Sequence, residues 1–60
     1  MGAKLEAYFL EAEKLAGMRA KIKLAMLTKL SAKTAAEAPD SPQNVAMFEA
    51  ALATLRKEFA

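Results

Sequence analysis

The sequence predicts an all-α fold, a helical hairpin that pairs with a second copy as an antiparallel dimeric four-helix bundle. Three observations predict it. Fifteen of the sixty residues are Ala and eight are Leu, while Ile22 and Val45 are the only β-branched aliphatics, a balance that favours helix by intrinsic propensity. The run Ala38-Pro39-Asp40-Ser41-Pro42 sets two prolines around two capping residues and marks a turn. Beyond it, Val45, Phe48, Leu52, Leu55 and Phe59 recur at alternating spacings of three and four, which is a heptad seam.

The chain reads as one helical domain over 1–60: a helix at about 3–33, a turn at about 34–41 and a helix at about 42–59. In the first helix Leu5, Tyr8, Phe9, Ala12, Leu15 and Ala16 share a face, and that face then meets Arg19, Ile22, Lys23, Met26 and Leu30. Gly17 interrupts it. If the helix runs through, Gly17 is an interior glycine costing about 1 kcal/mol, and Arg19 and Lys23 snorkel from the edge of the stripe. The alternative is a three-helix bundle broken at Gly17, with that residue as a C-terminal cap; against it, no Ser, Thr, Asp or Asn precedes Met18 to start a new helix. Thr34-Ala-Ala-Glu37 reads as a capping box for one short turn. The second helix starts at Pro42 with Ser41 as its cap, or one residue earlier with Asp40 capping and Gln43 completing a box.

Length then argues for assembly. An unbroken first helix spans roughly 45 Å and the second roughly 27 Å, at 1.5 Å per residue. Leu24-Ala25-Met26-Leu27 surrounds the longer helix with apolar groups that one shorter helix cannot cover. So short a chain also buries only about 60% of its unfolded surface, and with no Cys and no His it has neither disulfide nor zinc to compensate. A second copy is the expected cover. The expected interface comprises Leu24, Met26, Leu27, Leu30, Val45, Phe48, Leu52, Leu55 and Phe59. This plan is similar to the small helical-hairpin dimers that form four-helix bundles, a likeness of architecture that says little about function.

The residue inventory argues against catalysis. Without His or Cys, and with Asp40 as the single Asp, the common general base, the thiolate nucleophile and the usual transition-metal ligands are missing, and no Gly-rich phosphate loop is present. No enzyme activity, cofactor or metal is expected. The sharpest charged feature is the basic stretch Arg19, Lys21, Lys23, Lys29 and Lys33, with no acidic residue among them, as a candidate anion-binding surface. Its simplest role is a solvated face paired with Glu6, Glu11 and Glu13 of a second copy. The expected function is therefore a homo-oligomerisation or protein-interaction module, such as a regulatory or dimerisation segment of a larger signalling protein. Its partner is itself or another helical protein. The alternatives are an RNA- or DNA-binding hairpin dimer using residues 19–33, and a basic helix lying on a membrane surface. No apolar run reaches membrane-spanning length, and the charges within Met1 to Leu15 do not suit a signal peptide, so the expected setting is cytoplasmic.

Overall fold

The computed structural model describes all sixty residues apart from the side chain of Ala32. It is all-α, with helices α1 (Ala3–Ala16), α2 (Ala20–Thr28), α3 (Ala32–Glu37) and α4 (Pro42–Glu58), and a 3-10 turn at Gly17–Arg19 between α1 and α2. α1, the 3-10 turn and α2 replace most of the single long helix expected over 3–33, and α3 spans its end and the start of the turn expected at about 34–41. α1, α2 and α4 pack against one another, and α3 packs against α2. The chain folds into 28 × 19 × 18 Å, so the lopsided hairpin with a helix of about 45 Å does not exist.

Two residues with positive φ cause the difference. Gly17 adopts φ 60°, ψ −132°, a conformation that glycine takes far more readily than residues bearing a Cβ. Its N–H still bonds to the carbonyl of Glu13, which closes α1. The 3-10 turn then carries the chain into α2, the Ala20 N–H bonding to the Gly17 carbonyl. Because the helical path is re-phased and not restarted from an extended residue, no capping side chain is needed. The re-phasing also resolves the conflict in the unbroken stripe. Ala20, Leu24 and Thr28 now face the core, and Arg19 is exposed.

The second break falls at Lys29, in the left-handed region at φ 60°, ψ 22°. Thr28 Oγ1 donates to the Leu24 carbonyl at 2.6 Å, and Ser31 starts α3 by accepting from the Thr34 N–H at 3.1 Å. Thr34 is thus an interior residue of α3, capped by Ser31, and not a cap itself. The two positive-φ sites predict opposite mutational effects. Gly17→Ala meets no atom within 4 Å of its new Cβ, so it loses stability through backbone strain alone, about 1–3 kcal/mol. Lys29→Gly relieves a left-handed lysine and gains up to about 1 kcal/mol. Urea unfolding midpoints that shift in these opposite directions are the expected result.

Ser41 caps α4, accepting from the Asn44 N–H at 3.2 Å, and Pro42 is its first residue. Asp40 serves a different helix. Its carboxylate accepts from the Lys4 N–H at 3.0 Å and the Leu5 N–H at 3.2 Å, capping α1 from across the fold. Gly2 lets it approach, since a Cβ there would overlap the Asp40 carboxylate. Asp40→Ala is expected to lower stability by about 1 kcal/mol, read as a fall in the urea midpoint, with Asp40→Asn losing less.

The core is sealed by Leu5 and Ala12 of α1, Ala20 and Leu24 of α2, Ala35 of α3, and Phe48, Ala51, Leu52 and Leu55 of α4. Each element supplies one apolar face at helical spacing. Two surface ion pairs tie α4 to its neighbours: Lys23 Nζ to Glu58 Oε1 at 2.8 Å, and Arg56 Nη2 to Glu11 Oε2 at 2.6 Å. Both are solvated, so each contributes no more than about 1 kcal/mol. Tyr8 donates to Glu49 Oε2 at 3.2 Å. Desolvation, and then the hydrogen bond to Glu49, raises its phenol above the ordinary value of 10.0. Because the protonated form is favoured in the fold, this contribution is present below pH 10 and lost as pH rises through the folded value. With no Trp and one Tyr, phenolate absorbance should report a midpoint above 10 in the native chain and near 10 in urea.

Candidate functional site

The expected interface residues separate into two groups. Leu24, Phe48, Leu52 and Leu55 are buried in the core of the single chain, and Leu30 and Val45 are half-buried against it. These are core residues, which leaves little of the α4 seam for a partner. Met26, Leu27 and Phe59 are exposed.

The apolar surplus lies on the outer side of α2 and the 3-10 turn. Ile22 is 65% and Met26 68% exposed, and their spacing of four places them on one face of α2 as a ridge, preceded in the 3-10 turn by Met18 at 98%. Met18 and Ile22 were missed as contact residues by the sequence reading, and the reason is physical. On an unbroken helix Ile22 belongs to the buried stripe, and only the re-phasing at Gly17 turns it outward. α2 is apolar on both sides, with Ala20 and Leu24 facing in and Ile22 and Met26 facing out. The signal was the scarcity of polar positions in Ala20–Thr28, which a helix covered on one side does not require.

Charge surrounds the ridge. Of the five basic residues expected to bind anions, Lys23 is engaged by Glu58, while Arg19, Lys21, Lys29 and Lys33 are exposed and form no ion pair among the described residues. Arg19 precedes α2 in the 3-10 turn, Lys29 follows it as the left-handed C-cap, and within α2 Lys21 borders the cleft against α1. Lys33 stands apart on α3. Three of the five thus lie within α2 or at its ends, besides the Lys23 already paired with Glu58.

Beside Lys21 an apolar cleft of about 480 Å³ opens between α1, α2 and α3. Phe9, Leu24, Ala25 and Phe48 line it, with Glu6 and Lys21 as its charged members. Across it, the exposed side of α1 carries Glu6, Leu10 and Glu13, which share a face at spacings of four and three, with Leu10 52% exposed. Glu6 and Glu13 have no ion-pair partner among the described residues. An acidic, apolar strip on α1 and a basic, apolar ridge on α2 therefore border one cleft.

Among the described residues, no three His, Cys, Asp or Glu side chains gather as a metal site. No described helix is long and apolar enough to cross a membrane. In comparisons with known proteins, the chain matches no family model, no curated protein and no solved structure. The geometry defines an all-α chain with a two-sided α2, and the reading of its function rests on that face.

Proposed function

We propose that this chain is a non-catalytic self-association module, and that the outer ridge of α2 is its contact. The observation that carries the reading is the exposure of Ile22 and Met26 on one face of α2, with Met18 exposed in the turn before it. Large apolar side chains in water on a helix whose opposite face is already in the core suit a surface used for contact. Methionine suits such a role because its unbranched thioether adapts to the shape it meets.

This reading revises the assembly. The dimer forms from compact protomers that have each completed their own core, not by two long helices each lending half its length to the other. Burial of the ridge adds to a fold that is otherwise marginal at this length. The test is thermal unfolding followed by far-UV circular dichroism over about a hundredfold range of protein concentration. Self-association predicts a midpoint that rises with concentration, and a midpoint independent of concentration opposes it.

A further inference from the structure

We infer that the partner surface for the α2 ridge is the α1 strip of a second copy, so that a two-fold dimer pairs α1 with the partner's α2 twice. This rests on the self-association reading and assigns the surfaces that meet.

Three features converge. The first is charge. Arg19 and Lys29 stand at the two ends of α2, on either side of Ile22 and Met26 in the chain, and the strip presents Glu6 and Glu13 around Leu10; all are exposed, and the four charged groups form no ion pair in the chain among the described residues. Ridge against ridge would oppose cation to cation, whereas ridge against strip opposes cation to carboxylate and apolar to apolar. Lys14 lies to one side of the strip, away from the cleft.

The second feature is area. A standard stable interface takes about 800 Å² from each partner, roughly a fifth of the 4100 Å² this chain exposes. Ile22 and Met26 on a helix of nine residues, with Met18 in the turn before it, fall short of that, and the strip on α1 supplies the second helix that the area needs. The third feature is continuity. The cleft runs from Glu6 of the strip to Lys21 and Ala25 of α2, the helix that carries the ridge, and its apolar floor offers room for a side chain from the partner. A two-fold axis through this surface satisfies both contacts with a single closed arrangement.

Charge exchange tests the pairing. One variant carries Glu6→Lys and Glu13→Lys, and the other carries Arg19→Glu and Lys29→Glu. All four side chains are exposed, so both variants should retain the wild-type circular dichroism, which is measured first. Each alone sets like charge against like in the two-fold contact and should sediment as a monomer. Mixed in equal amounts, they match strip to ridge at both contacts and should form a heterodimer that weakens as salt rises. Wild-type dimers that survive both reversals would overturn the pairing while leaving self-association standing. Failure of the mixture to associate overturns it as well. So does a ridge that binds phosphatidylserine vesicles while the wild type stays monomeric, and that outcome removes the self-association reading too.

Discussion

Replacing Phe48 with alanine should remove at least about a third of the chain's stability. Phe48 is fully buried, packs among Leu5, Leu24, Leu52 and Leu55 in one cluster, and reaches the floor of the cleft between α1, α2 and α3. Phe-to-Ala changes in a core cost about 3–5 kcal/mol, through lost transfer free energy and the void left behind. A domain of this length holds only about 3–9 kcal/mol in total, at 0.05–0.15 kcal/mol per residue. The loss is therefore between about a third and the whole of the stability. The expected reading is a urea midpoint reduced by at least about a third, up to collapse of the helical signal at 222 nm. A variant with wild-type stability would mean that Phe48 is not the centre of the core.

The second large effect separates folding from association. Ile22→Asp with Met26→Asp places two charges on the ridge, where both side chains are mostly in water in the single chain. The protomer should keep its helices and its core, while the dimer should be lost because each carboxylate would have to be desolvated in the contact. Leu52→Asp makes the contrast. That side chain is 1% exposed within its own chain, so a charge there should unfold the protomer outright. Circular dichroism with gel filtration distinguishes the two: folded and small for the ridge pair, unfolded for Leu52→Asp. If the ridge pair elutes with the wild type, the ridge is not the contact.

Local rules made part of this molecule legible in the sequence. The turn at Pro39–Pro42, the Ser41 cap and the seam through Phe48, Leu52 and Leu55 rest on neighbours in the chain, and α4 lies where they put it. A break at Gly17 was legible only as the alternative to a continuous helix, because a glycine inside a helix and a glycine ending one differ only in φ and ψ. The absence of a cap after it argued for continuity, and the 3-10 turn removed the need for one. Lys29 gave no signal at all, since lysine carries no local preference for the left-handed backbone it adopts. Asp40 was read as a candidate cap for the nearest helix and caps α1 instead, a contact across thirty-five residues that no local pattern encodes.

The same limit shaped the contact face. Its basic residues were legible because charge runs are read directly along the chain. Its apolar residues were not, because the direction of Ile22 depends on a backbone angle five positions earlier. Once that angle is known, α2 has two apolar sides, and the side away from the core is the contact we propose. Self-association thus rests on Met18, Ile22 and Met26 and no longer on the length of a helix.

Sedimentation equilibrium of the wild-type chain across micromolar to millimolar concentration tests that claim most directly. The account predicts a weight-average mass that rises from 6.5 kDa toward twice that value and stops there, as a closed two-fold dimer requires. A mass of 6.5 kDa at every concentration would contradict it.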